Sequence, residues 1–165
     1  MSAKYQRKTW REKLADDKGL PKIGKVEGKL RKTWGTGTMV IPAPREVDAM
    51  IRKIRKGRTA TINDLRSALA KKHGVDICCP ITTGIFAWIA AHAAAEDEAE
   101  GKKRITPWWR VLKSDGKLNP KYPGGVVEQA TRLKAEGIEI EAGKGKKPPR
   151  VKDWENHLAK TFAVA

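Results

Sequence analysis

The chain has 165 residues, with 35 Lys and Arg against 19 Asp and Glu, a net charge of +16. That length suits one domain with an extension and can bury a core without staples, while the charge points to a polyanionic partner, nucleic acid before an anionic membrane. No apolar run of membrane-spanning length and no apolar signal core at the N-terminus is present, and the only two cysteines are the neighbours Cys78 and Cys79; a membrane span, secretion, a disulfide framework and a Cys-based zinc site are therefore not expected.

Charge is unevenly spread. Residues 1–58 carry a net +11, residues 59–100 a net −3 and residues 101–165 a net +8. The middle should be the core and the flanks the electrostatic footprint. Residues 4–16 suit a short basic helix, with Trp10 and Leu14 four apart on one face. The Gly-, Pro- and Lys-rich stretch that follows reads as an extended arm with a short strand at Met39–Ile41, and residues 1–43 together as a basic N-terminal arm. "PREVDAMIRKIRKG" opens on Pro44, repeats apolar Val47, Met50, Ile51 and Ile54, and stops at Gly57, which predicts a helix.

Thr59–Thr61 fits a short strand. Thr61 and Asp64 have capping-box spacing, Ile62, Leu65, Ala68 and Leu69 make an apolar stripe, and Gly74 ends the helix. A second helix, 81–96, opens behind Pro80 and ends before Gly101, so that 62–73 and 81–96 have helix–turn–helix spacing. Trp108–Leu112 then predicts a strand, "SDG" a turn, and "KLNPKYPGG" the return of a hairpin wing. Residues 126–136 predict a last core helix, "IEIEAG" a strand, "KGKKPPR" a basic linker and 153–160 a terminal helix. The fold class expected is α+β: a winged helix–turn–helix domain over 44–138, with the basic arm before it and a linker and helix over 139–165 after it. The sequence carries no oligomer signal, and a monomer is expected.

The three segments "TATINDLRSALA", "CPITTGIFAWIAAH" and "TPWWRVLKSDGKLNPKYPGG" resemble, in that order, the DNA-binding domain of the alkylguanine DNA alkyltransferases, the methylated-DNA–protein-cysteine methyltransferases. The resemblance covers roughly residues 44–138. Its most specific positions are Pro107, Arg110, Val111, Ser114, Asp115, Gly116, Gly124 and Gly125. That family has Pro-Cys-His-Arg-Val before the turn; here Trp108 stands in the place of the nucleophilic cysteine and Trp109 in the place of its histidine base. Alkyl transfer needs a thiolate and a base, and an indole supplies neither, so no enzymatic activity is expected. The alkyltransferase-like branch also carries Trp at the cysteine position, binds alkylated guanine and passes the lesion to excision repair. The second Trp departs from that branch's Trp-His.

The resemblance implies a lesion pocket formed by Trp108, Trp109, Ser114 and Tyr122. It implies a DNA surface formed by Thr82, Thr83, Arg110, Lys113, Lys117, Lys121, Gly124 and Gly125, with helix 81–96 in the minor groove. The arginine corresponding to Arg110 is mainly structural in that family, and the same is expected here. Two family groups are missing. Ile62 stands near the place of a tyrosine that displaces a phosphate, and Thr83 or Gly84 stands where an arginine fills the gap left by a flipped base. Phe86 or Ile85 has the apolar character of a wedge, but positions 85, 88, 89 and 92 share one face, and a core role is expected for both.

Cys79 lies at a helix start, where the dipole favours a thiolate, but a small buried cysteine is the expected state. His73 and His92 lack neighbouring carboxylates in a metal-binding pattern, so no metal or cofactor is expected. Trp34 is expected to cover the core edge rather than stack on a base. The arm's lysines are expected to track phosphates. The partners expected are duplex DNA, alkylated or not, and repair proteins, at the nucleoid in the cytoplasm. The alternative is a sequence-tolerant architectural or regulatory DNA binder without lesion recognition.

Overall fold

The computed structural model describes residues 6–159, so the first residues of the expected helix 4–16 and the last of 153–160 lie outside the described residues. The middle of the chain follows its local signals. Helix α3 (Pro44–Arg52) starts on a proline that needs no N–H partner there and has Glu46 reaching back to the Ala43 N–H at 2.9 Å. Helix α4 (Ile62–His73) has the full Thr61–Asp64 capping box: the Asp64 carboxylate accepts the Thr61 N–H at 2.7 Å, and Thr61 Oγ1 accepts the Asp64 N–H at 3.3 Å. It stops at Gly74, whose φ of 65° is a left-handed cap open to glycine. Helix α5 (Pro80–Ala99) is the longest element.

These three helices enclose the core. Val47, Met50, Ile51, Ile54, Leu65, Leu69, Phe86 and Trp108 fill it. Ala87, Ala90, Ala91, Ala93 and Ala94 of α5 are all buried; their short side chains let other helices approach α5 closely from more than one side. One of them is α1 (Trp10–Ala15), capped by Thr9 and Glu12. Trp10 stacks on His92 with ring centroids 4.5 Å apart and meets Trp88 edge-on at 4.6 Å. Its backbone N–H donates to Glu96 at 2.5 Å, and Arg11 pairs with Glu96, Asp97 and Glu100. The acidic end of α5 is thus matched to a basic helix.

The strand expected at Met39–Ile41 is present as β2 (Thr38–Ile41), but the stretch before it, expected to be an extended arm, carries β1 (Lys22–Lys25) and α2 (Leu30–Trp34). Strand β2 pairs antiparallel with β1 and parallel with β4 (Ile77–Cys78), giving the order β1-β2-β4. Asp76 locks this junction by accepting from the Thr38 N–H at 2.9 Å, while its own N–H donates to Thr38 Oγ1.

The expected hairpin at 108–125 is also built differently. Trp108–Arg110 is one 3₁₀ turn, not strand, because its backbone closes Arg110 N–H to Pro107 C=O and Val111 N–H to Trp108 C=O. Strand β5 (Val111–Leu112) pairs parallel with β3 (Ala60–Thr61). The return segment bonds to the C-terminal part: Leu118 N–H donates to Pro149 C=O, and Val151 N–H to Gly116 C=O. Helix α6 (Gly125–Ala135) follows, and the strand expected at 138–143 is present as β6 (Ile140–Glu141), paired antiparallel with β7 (Arg150–Val151). Leu112, Leu118, Leu133, Ile138 and Val151 form a second, smaller core there. Residues Trp154–His157 form a 3₁₀ turn.

A Trp10→Ala substitution tests whether α1 is part of the packed unit. Losing one half-buried indole with its aromatic partners should lower unfolding stability by about 1–3 kcal/mol in urea denaturation. A free arm would leave the midpoint unchanged.

Candidate nucleic-acid interface

The loop after β5 crosses in front of the N-terminal half of α5. Between them run two adjoining hollows of about 440 Å³ and about 430 Å³. Gly84, Lys113 and Asn119 line both, so they form one groove. Ile62, Pro80, Ser114, Asp115 and Tyr122 are among the other residues lining the first hollow, and Ile81, Ile85, Trp88 and Lys121 among those lining the second. Gly84 has open space where a Cβ would stand, which widens the groove at its middle.

Ile81 and Ile85 are 61% and 44% exposed. Two isoleucines one turn apart on an open face are costly to leave in water. This corrects the expected core role of Ile85, while Phe86, at 5% exposure, has that role. The reason is angular: 100° per residue separates the two, and only Phe86 faces α3 and α4.

Gln129 holds the loop to the strand. It is fully buried; its Oε1 accepts the Asn119 N–H at 2.8 Å, and its Nε2 donates to the Val111 and Trp109 carbonyls at 2.9 and 3.2 Å. On the other side, Trp88 Nε1 donates to the Lys121 carbonyl at 3.1 Å, and His92 Nε2 lies 3.1 Å from the same oxygen. The sequence pattern alone does not single out Gln129 or Asn119 for this work. For Gln129 the one signal is phase: it shares a helix face with Val126, Ala130 and Leu133, which pack into the smaller core.

The expected site residues divide. Lys113 and Lys121 are exposed at the groove with Ser114 beside them. Lys117 is half-buried and paired with Asp115 at 2.8 Å. Tyr122 lines the groove with its body buried, and burial pushes its phenol well above the usual range. Thr82 has its hydroxyl covered, without a hydrogen-bond partner among the described residues. Thr83 is corrected from a DNA contact to a core residue: it is fully buried, its hydroxyl donating to the Cys79 carbonyl at 2.6 Å and lying 3.2 Å from Cys78 Sγ. Gly124 and Gly125 have φ of 75° and 69° and shape the entry to α6. At Gly124 a Cβ would strike the Glu128 side chain at 2.5 Å.

The two adjacent tryptophans do not line the groove. Trp108 is 1% exposed and sits behind Tyr122, edge to face at 5.9 Å. Its Nε1 has no partner among the described residues. Trp109 turns the other way. Its Nε1 donates to Glu136 at 3.0 Å, beside Arg110, which donates to the same carboxylate at 2.6–3.1 Å and to the Ile54 carbonyl at 2.7 Å. Arg110 is thereby corrected from a DNA-facing group to a structural one, as the resemblance implied: its side chain is 13% exposed and that of Glu136 7%. Arg132 lies near both indoles, 5.3 Å from the Trp108 centroid and 5.0 Å from that of Trp109, held by Glu98 and Glu128.

Cys78 and Cys79 are buried. Burial raises the Cys78 thiol, against a hydrogen bond with Thr83 and the charge of Arg66. Among the described residues no group of three or more His, Cys, Asp or Glu side chains is placed to hold a metal, and no helix is long and apolar enough to cross a membrane.

Burial disfavours the Glu136 carboxylate, but hydrogen bonds from Arg110, Trp109 and the Gly57 N–H outweigh it and hold its carboxyl below the usual range. A carboxyl depressed in the folded state stabilises fully above its unfolded value, about 4.3, and that contribution is lost as pH falls through the lower folded value. Glu136→Gln should therefore cost about 3 kcal/mol at neutral pH, by leaving Arg110 buried without its counter-charge. It should also flatten the acid limb of the stability–pH curve, read by thermal denaturation from pH 7 to pH 3.

No family model matches the chain, and no curated protein matches it. Among solved structures, the fold is similar to that of S. pombe Atl1, whose crystal structure is a complex with damaged DNA containing O6-carboxymethylguanine. The match has a TM-score of 0.50 at 19% identity and covers 71% of this chain and 94% of that chain. At that identity the likeness is one of fold: a mixed α+β arrangement of helices and small sheets, as the resemblance in the sequence implied.

Proposed function

We propose that this chain is a non-catalytic, DNA-binding protein of winged helix–turn–helix type, with α5 as its recognition helix and residues 44–138 as its binding unit. The observation that carries this is the groove: an open channel beside α5, edged by Lys113 and Lys121, with Ile81 and Ile85 bare on the helix face. Cations at the rim suit phosphates, and bare aliphatic side chains suit the sugar and base edges of a minor groove. The net charge of +16 and a fold similar to that of a protein crystallised on damaged DNA support the same partner.

Alkylated guanine is the lesion this reading favours, and excision-repair proteins at the cytoplasmic nucleoid are the partners it implies. Trp108 supports the absence of alkyl transfer, since it fills with a buried indole the place where the resembled enzymes carry their thiol. With no arginine on the exposed face of α5 at Gly84, Ile81 and Ile85 are the groups placed to fill a vacated base stack, a role that apolar wedges perform in other DNA binders.

Fluorescence anisotropy on two short duplexes, one with a single O6-alkylated guanine, tests this across a salt series. Tighter binding to the modified duplex is expected; equal, steeply salt-dependent binding would leave the architectural or regulatory reading in its place. In Lys113→Ala/Lys121→Ala the log–log salt slope should become shallower by roughly 0.9 for each phosphate no longer neutralised. Intact-mass spectrometry after incubation with methylated duplex should show an unchanged protein mass; a gain of one methyl on Cys78 or Cys79 would make the chain an enzyme.

A further inference from the structure

The segment β1–α2 is not needed to frame the groove, yet it is highly charged. Lys22, Lys25, Lys29, Arg31 and Lys32 are all exposed. Among the described residues none of the five has an ion-pair partner. On the helices, by contrast, several basic side chains are matched by carboxylates, as with Arg11, Arg52, Lys72 and Arg132. Five cations crowded on a short hairpin and one helical turn repel one another, and only Glu27 lies among them.

Trp34 ends α2. Expected to cover the core edge, it is 37% exposed, so part of its ring is open to solvent. Its ring carries the Arg66 guanidinium at 4.4 Å. Arg66 in turn donates from Nε to the Cys78 carbonyl at 3.1 Å and from a terminal nitrogen to Asn63 Oδ1 at 3.0 Å. Cys78 stands two residues ahead of Pro80, and Ile62 one helical turn ahead of Arg66. Both Pro80 and Ile62 line the groove. Arg66 thus links Trp34 at the end of α2 to the start of α4 and to the strand that leads into α5, the two places from which Ile62 and Pro80 enter the groove. The Asp76–Thr38 hydrogen bonds and the β2–β4 pairing fix that junction.

We propose that β1–α2 is a second DNA-contacting surface, which takes the phosphodiester strand where it leaves the groove. Lys29, Arg31 and Lys32 neutralise phosphates there, and Trp34, steadied by Arg66, offers its exposed ring to a sugar or base. The inference rests on the groove being a DNA site. An unpaired cation cluster next to an exposed aromatic fits a polyanion with apolar planes between its charges better than it fits an acidic protein surface.

The experiment is a salt titration by anisotropy on one duplex of about 20 base pairs, long enough to run past the groove. Four proteins are compared: wild type, Lys29→Ala/Arg31→Ala/Lys32→Ala, Trp34→Ala and Lys113→Ala/Lys121→Ala. All the substituted side chains are exposed, and circular dichroism checks that each variant folds. The triple variant should have a slope shallower than wild type by about 2–3, close to 0.9 per phosphate. Trp34→Ala should bind roughly fivefold more weakly with the slope unchanged. Wild-type slope in the triple variant, alongside a shallower slope in Lys113→Ala/Lys121→Ala, would overturn this second surface and leave the groove intact. Failure of wild type to bind would overturn both.

Discussion

A single buried carboxylate organises the functional end of the molecule. Glu136, at the end of α6, receives hydrogen bonds from Arg110, Trp109 and the Gly57 backbone, and Arg110 adds a bond to the Ile54 carbonyl. Three separate stretches, 54–57, 109–110 and the end of α6, are thus tied to one point. The tie fixes the 3₁₀ turn at Trp108–Arg110 and with it the start of β5, which sets where the chain emerges to form the groove wall. An ion pair in so dry a place contributes little net stability over an apolar equivalent, but either half alone is strongly unfavourable. Its value lies in specifying one arrangement of the turn.

The same pairing logic explains the distribution of charge. Acidic residues are few, and most sit where they satisfy a particular cation or backbone N–H: Glu46 with Lys72, His73 and the Ala43 N–H, and Glu96–Glu100 with α1 and Arg132. The remaining cations, among them those of the groove rim, of β1–α2 and of residues 53–58, have no carboxylate partner among the described residues. The surplus gives the surface a positive field, which matters for the approach of a polyanion more than for the stability of the fold.

Legibility in the sequence followed the range of the interaction. The Thr61–Asp64 box, Pro44, Pro80 and Gly74 act within a few residues, and the helix ends they mark are where the pattern put them, whereas α3 stops at Arg52, short of the expected Gly57. Parallel pairing of β3 with β5 joins segments some fifty residues apart through only two residues each, and so short a strand carries no periodic signal. The basic N-terminal stretch reads as solvated because lysines and glycines dominate it, whereas one residue, Trp10, decides that α1 packs on α5. Of the residues that the resemblance marked, Lys113, Ser114, Lys121 and Tyr122 meet at the groove. Thr83 and Ile85 exchanged roles because helix phase depends on which side of α5 its alanines face, and alanine is compatible with either. Gln129 was hidden for the opposite reason: a lone glutamine on a helix reads as surface unless its backbone partners are known.

The Lys121 carbonyl, held by Trp88 and His92, gives the groove a property beyond its shape. The loop bearing Lys121 is anchored at its backbone from α5 and, through Gln129, from α6, while the lysine side chains remain free. A ligand entering such a channel orders side chains only, because the wall is already in place. The entropy that a floppy loop would surrender on binding is given up during folding instead. Because Trp10 stacks on the same His92 that faces this carbonyl, the rigidity of the wall is shared with α1. Any ligand's residence time in the groove would thus depend on the N-terminal helix as well as on the groove's own side chains.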